Sequence, residues 1–598
     1  MCGMMGTRAE LHDLIEDLIM TANGVRKADL VIEGGTLLNV FTGELIEDVD
    51  VAVKGQRIAL VGNADHTIAG STKVVKAEGR VLAPGFLDGH VHIESSMLTV
   101  TQFAKVVLPH GTTGVFIDPH EIANVLGMDG VKLMHDEGLE IPLKVYVAVP
   151  SCVPASSPEF ETAGASIGPE EISWAFSTLR NAVALGEVMN YAGVISGDRL
   201  MLDEISQALR FRRAVEGHFY GDLNRELNAY VAAGISSSHE STTKLVGLSK
   251  LRLGMHVMIR EGSAWRDLKE VIRCITETRL DSRRVCLVSD DREAEHLSRE
   301  GHMDHIVRRA IEEGVDPIRA VQMATINTAE HFRVDLEVGA IAPGRLADIL
   351  LLDDLSRVKV DEVIADGQLV AKGGKLVVHI GDRAYPEWSR GTVRLKRPIS
   401  VEDLRVRSDS ERAKVRVMEV VEGSVITKHR IEEARVMNGE IKADADIDLL
   451  KVAVFERHKM TGGHGVGFVR GFGLKAGAVA STVAHDSHNL LVVGTNDEDM
   501  VYAGNYLASV GGGMVAVRGG KVLAAVDLPI AGLMSDRGAE EVSGAVRELG
   551  RAWRELGCTM MHPFMTMSLL SLPVLPELRL TDKGLVDTVN FRRVDLFV

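Results

Sequence analysis

Two histidines one residue apart, His90 and His92, close the apolar run Phe86-Leu87-Asp88-Gly89-His90-Val91-His92. In an extended chain the side-chain period is two, so both imidazoles project to one side of a strand and can offer nitrogen to a single metal ion. An isolated H-x-H is as common on a plain surface. Here, however, four more groups of ligand type, Glu187, His218, His239 and Asp290, follow later apolar runs. Each taken singly has a bland reading, a hydrogen-bonded histidine or an aspartate capping a helix. Six such groups at strand ends on one barrel face predict a metal centre, and their imidazole and carboxylate chemistry suits Zn, Mn and Fe(II) alike.

Two further polar clusters could serve a substrate. Asp118, His120 and Glu121 follow the second strand, where they could contact a substrate, although a capped turn opening a helix would use the same residue types. His485, Asp486 and His488 lie in a short loop between two apolar strands. So dense a polar loop suggests function, while a solvated turn stays open as the alternative.

The elements that must position these residues follow from patterning. Between 81 and 338 the pattern is strand, loop, helix, repeated over the length of one (β/α)8 barrel, with candidate strands ending near Leu87, Asp118, Val149, Gly186, Gly217, Ser237, Ile259 and Ser289. Short alternating strands precede it (25–80) and follow it (339–395), with turn signals at Lys54-Gly55 and Asp366-Gly367. The expectation is an α/β protein in which the TIM-like barrel is inserted in a composite β-sandwich. Residues 396–598 hold their own strands and a helix stopped by Gly557, which makes a C-terminal α/β domain, and 1–24 read as an N-terminal helix.

Composition excludes several classes of function. With 84 acidic against 67 basic residues the chain carries a formal charge of −17, which repels a phosphate backbone, so nucleic acid is not an expected partner. No apolar run approaches the roughly 20 residues of a membrane span. Cys2, Cys152, Cys274, Cys286 and Cys558 are scattered without a C-x-x-C pair, which fits a reduced, cytoplasmic setting.

His90-Val91-His92, Gly217-His218, Ser238-His239-Glu240 and Ser289-Asp290-Asp291 resemble the ligand positions of the amidohydrolase superfamily, and GAIAPGRLAD (339–348) its return to the β-sandwich. DPHEIANV (118–125), MIREGSA (258–264) and STVAHDSHNLLVVG (481–494) resemble the adenine deaminases within it. The resemblance implies two divalent ions per chain (Mn, Fe(II) or Zn) on His90, His92, Glu187, His218, His239 and Asp290. It further implies Asp290, Glu187 and Glu121 as catalytic carboxylates, and adenine as a substrate deaminated hydrolytically to hypoxanthine. Asp118, His120, His485, Asp486 and His488 are then expected at the substrate, in a homo-oligomer. One departure stands out: many relatives bridge their metals with a carboxylated lysine, whereas the fourth strand here offers Glu187, either as the bridge or as a simple salt-bridging group. A relative that hydrolyses a cyclic amide or N-acetyl substrate would share the same ligands and is the alternative.

Overall fold

The computed structural model describes residues 8–598. Cys2 and the first seven residues of the expected N-terminal helix lie outside them; within them the helix spans Leu11–Ala22 and is followed by Gly24 at φ 76°.

Eight parallel strands form the barrel: β1 Phe86–Val91, β2 Thr112–Ile117, β3 Lys144–Val149, β4 Ala182–Val188, β5 Ala214–Gly217, β6 Ser237–Ser238, β7 His256–Arg260 and β8 Val285–Val288. β1 to β5 pair consecutively in parallel, as do β6 to β8. The ring closes at two seams. Ser236 N–H donates to Val215 O at 2.9 Å between β5 and β6, and Asp290 N–H donates to His90 O at 2.9 Å between β8 and β1. The lower barrel is packed with Leu87, Phe116, Tyr146, Met258 and Val288, all buried, and the ligand-type side chains collect at the C-terminal mouth.

β1 starts later and ends later than its sequence signal suggests. Residues 81–84, expected in the barrel, form a separate strand, Val81–Pro84, paired antiparallel with Ile349–Asp354 in the flanking sheet. Gly85 separates the two strands and has to be glycine, since a Cβ there would lie 2.1 Å from Thr113 Oγ1 on β2.

That flanking structure is one hydrogen-bonded sheet of nine strands, drawn from Leu30–Pro84 and Ile349–Leu376. Leu30, Ile32, Val51 and Val53 from the first flank share a core with Ile349, Leu351 and Ile364 from the second, which holds both ends of the barrel chain together. Its hairpins turn where left-handed residues allow it, at Gly55 (φ 59°) and at Asp366-Gly367 (φ 50° and 73°). The C-terminal region contains a ten-stranded and a three-stranded sheet. Its helix Ala539–Glu555 buries Val542, Leu549 and Trp553 and ends before Gly557 (φ 108°), while packing against the barrel helix Ala294–Glu300. The four described cysteines are buried and unpaired, and no described helix is long and apolar enough to cross a membrane.

Candidate active site

All six residues expected as metal ligands meet at the barrel mouth, around Glu187. The Glu187 carboxylate has one oxygen, Oε2, 2.6 Å from His218 Nδ1 and 2.9 Å from His239 Nε2. Its other oxygen, Oε1, faces His92 Nε2 at 3.7 Å and His120 Nδ1 at 3.5 Å. Asp290 Oδ1 lies 3.5 Å from His90 Nε2 and 3.2 Å from His92 Nε2. The His90 ring stacks on that of His239 at 4.1 Å between centroids. The ligand-type groups that result include His90 with His92 and Asp290, His90 with Glu187 and His239, His92 with His120 and Glu187, and His218 with His239 and Glu240.

Local structure aims these groups. His92 sits just past β1, and its Nδ1 is taken by the Asp118 carbonyl at 2.9 Å, so that Nε2 turns inward. Asp290 adopts φ 58°, a left-handed conformation that aspartate tolerates, and this bends the chain after β8 so that its carboxyl meets both histidines. Glu187 is fixed through its backbone N–H, which donates to Asp118 Oδ2 at 2.7 Å. A Cβ on Gly186 would sit 2.5 Å from that oxygen, so glycine is what lets Asp118 approach β4.

The charges are strongly coupled to burial. Desolvation raises the Glu187 carboxyl, but His218 and His239 outweigh it and hold the group well below the usual range. Asp290 is likewise raised by burial and pulled well below its usual range by His90, His92 and Arg260. Both stay anionic, the state in which a carboxylate could hold a metal ion.

The second cluster joins the two domains. His485 Nδ1 lies 2.6 Å from Glu121 Oε1, and His488 Nε2 bonds Glu121 Oε2. Burial lowers and Glu121 raises His485, which ends at about 9, whereas burial dominates at His488 and takes it down to about 4. Although these three groups are close enough to hold a cation, Ala484 N–H donates to His488 Nδ1 at 3.1 Å, which leaves Nε2 as the protonated nitrogen and commits it to Glu121. The cluster is therefore a hydrogen-bonded strut between barrel and C-terminal domain. Asp486 is buried, with Oδ2 unpartnered, and burial raises it to about 6. Asp118, with one oxygen on Glu187 and the other 3.4 Å from His120 Nδ1, stands behind His120.

Residues 81–370 match the amidohydrolase family, and residues 424–592 match the adenine deaminase C-terminal domain. The adenine deaminase of Moorella thermoacetica is 56% identical over 99% of this chain and 100% of its own length. That of Clostridium botulinum (strain Langeland) is 49% identical over 98% of each chain. The enzyme of Rubrobacter xylanophilus is 49% identical over 99% of each.

The chain belongs to the adenine deaminase family.

Within this family site, several buried residues escape a reading based on ligand type. Arg260, at the end of β7, donates to Glu240 Oε1 at 2.6 Å and to Asp290 Oδ2 at 3.0 Å, which leaves Oδ1 of Asp290 for the two histidines. Asp88 accepts from Ser289 Oγ (2.5 Å) and Ser289 N–H (3.1 Å), with His302 Nε2 3.0 Å away, and so ties β1 to β8 beneath the ligands. Glu94 is buried with Oε2 unpartnered. Their signals were present, since Asp88 precedes His90 by two, Glu94 follows His92 by two, and Glu240 adjoins His239.

Proposed function

We propose that this protein is an adenine deaminase that hydrolyses adenine to hypoxanthine and ammonia at a centre of two divalent ions. The observation that carries the reading is Glu187, a single carboxylate with His218 and His239 on one oxygen and His92 and His120 on the other. The donor set fits such ions: His90 Nε2 is buried without a hydrogen-bond partner among imidazoles and carboxylates, which is an expensive arrangement unless a cation completes it. His90, His92 and Asp290 would hold one ion and His218 and His239 the other, with Glu187 between them. Bound there, Mn, Fe(II) or Zn supplies Lewis acidity that makes water ionise near neutral pH.

The protein's own groups do the remaining work. Asp290 accepts one proton from the attacking water as oxygen adds to C6 of the base, His120 gives a proton to N1, and the carbon becomes tetrahedral. Asp290 then delivers its proton to the exocyclic amine, the C6–N bond breaks and ammonia leaves, and the proton of the new C6 hydroxyl returns to His120 as the carbonyl of hypoxanthine forms. Arg260 keeps Asp290 Oδ2 occupied, so the exchange uses Oδ1. His120 faces the ring nitrogens, Asp118 steadies His120, and Glu121, whose two oxygens hold His485 and His488, joins them and Asp486 in closing the site against bulk water.

Ammonia release tests this reading, with Mn, Fe(II) and Zn supplied separately and adenine compared with adenosine, AMP and a cyclic imide. Adenine should be fastest, with two metal ions per active chain. Faster turnover of a cyclic amide would overturn the substrate, and full activity at one ion per chain would overturn the two-metal centre.

A further inference from the structure

Beside the ligand cluster, between the turn after β1 and the C-terminal domain, lies a cavity walled by Glu94, Met97, His485, Met514, Phe564 and Met565. Three thioethers and Phe564, surfaces that take up flat apolar faces and adapt to them, share its wall with aliphatic side chains such as Val546 and Leu549 and with a few polar groups. Of the two carboxylates in that wall, Glu94 and Glu293, Glu94 is the one with a buried oxygen that has no partner. It is 3% exposed. Oε1 accepts the Ile122 backbone N–H at 3.2 Å, while Oε2 is buried with no partner at all. A buried acceptor left without a donor is costly, and here it borders an apolar slot next to the residues assigned to chemistry.

We propose that Glu94 is a substrate-contacting residue whose Oε2 accepts the N–H of the five-membered ring of a purine base, while Met97, Met514, Phe564 and Met565 enclose the ring. The inference rests on the deaminase reading above and adds to it a source of specificity. A free purine base always carries one hydrogen on N7 or N9. A substituent on N9 leaves N7 as a lone pair, so neither nitrogen can donate, and Glu94 Oε2 would stay buried and unpaired. One acceptor thereby separates the free base from its nucleoside, on top of the steric closure by Phe564 and Met565. A site built to receive a donor rejects analogues lacking it far more strongly than an apolar pocket rejects added bulk.

The test uses the full-length, metal-loaded protein with Glu94→Gln and Glu94→Ala, assayed on adenine and 9-methyladenine. Glu94→Gln is the key variant, because its amide oxygen can still accept from Ile122 N–H and hold the turn, while its NH2 group replaces an acceptor by a donor. Both variants should raise KM for adenine roughly tenfold or more, the equivalent of losing one hydrogen bond, and should shrink the preference for adenine over 9-methyladenine. Metal content and Tm should stay near those of the unaltered protein. A KM within twofold of the original, or an unchanged preference accompanied by loss of metal or of Tm, would overturn the assignment. If the unaltered protein does not deaminate adenine at all, the functional reading falls instead. Hypoxanthine binding to the metal-free protein then decides about the slot alone, and equal Kd values with and without the Glu94 carboxyl would overturn it.

Discussion

The two ends of the barrel bury charge in opposite ways. At the floor, Lys144 on β3 is 1% exposed; it bonds Asp348 and lies 2.8 Å from Asp366, which also meets Arg8 Nε at 3.0 Å. Each of those carboxylates faces a permanent cation. At the mouth, among the described residues, the one permanent cation on the site carboxylates is Arg260, and the other partners are imidazoles. His90 Nε2, His120 Nδ1, Glu94 Oε2 and Glu240 Oε2 are left without partners there. Desolvated charge is tolerated only when it is compensated. The floor supplies its own compensation and is architecture; the mouth is short of cations and donors, which the proposed ions and substrate would supply.

The largest expected effect that separates the two ends is on rate. Asp290→Asn keeps the size, one oxygen, and a residue type that accepts φ 58°. It removes the basic site, so turnover should fall roughly 10²- to 10⁴-fold while metal content falls much less. Asp291, whose Oδ1 bonds Ser95 Oγ, is the control and should tolerate the same change better. Should Asp291→Asn be the inactive variant, with metals still bound, the proton shuttle belongs to the neighbouring carboxylate. At the floor the change that matters is Lys144→Met, which strands Asp348 and leaves Asp366 with Arg8 alone. Urea unfolding should show a loss of about 3–5 kcal/mol, the usual consequence of removing one partner of a buried ion pair. Turnover per folded molecule should hold. A fall in turnover at full metal content would mean that the two ends are not independent.

How much of this contrast is legible in the sequence depends on range. The six candidate ligands are legible because period two and strand ends are local, and candidate strand ends such as Val149 and Gly217 coincide with β3 and β5. The limit of β1 is not, because Val81–Pro84 is as apolar as a barrel strand and only its pairing with Ile349–Asp354, far along the chain, assigns it to the flanking sheet. Arg260 is hidden for a related reason: an arginine at a strand end gives no sign of which buried partner it will meet, and Asp88, though in register with His90, gives no sign that it will meet Ser289 and His302. Glu121 meeting His485 and His488 is a contact across more than half the chain, and no periodicity reports it.

The smallest expected effect lies in that interdomain cluster, and it sharpens the contrast because its cation, unlike Lys144 or Arg8, is conditional on pH. His485 is buried against Glu121, with Asp291 and Asp486 adding negative potential and His488 held neutral by its own burial, and its imidazole is raised from the ordinary 6.5 to about 9. A folded-state value above the unfolded one means that the folded protein keeps a proton the unfolded chain has lost. The resulting stabilisation is fully present below pH 6.5 and disappears as pH rises through about 9. Other histidines of the metal-free mouth, His90, His92 and His120, are shifted in the same direction, so the absolute slope of stability against pH belongs to several groups. The difference between the unaltered protein and His485→Gln isolates one of them. In the metal-free protein, unfolding free energies measured between pH 6.5 and 9 should fall more steeply with His485 present, by at most about 1.4 kcal/mol per pH unit, the equivalent of one proton. Equal slopes for the two proteins would show that His485 stays neutral in the fold, and Glu121 would then be held by hydrogen bonds alone.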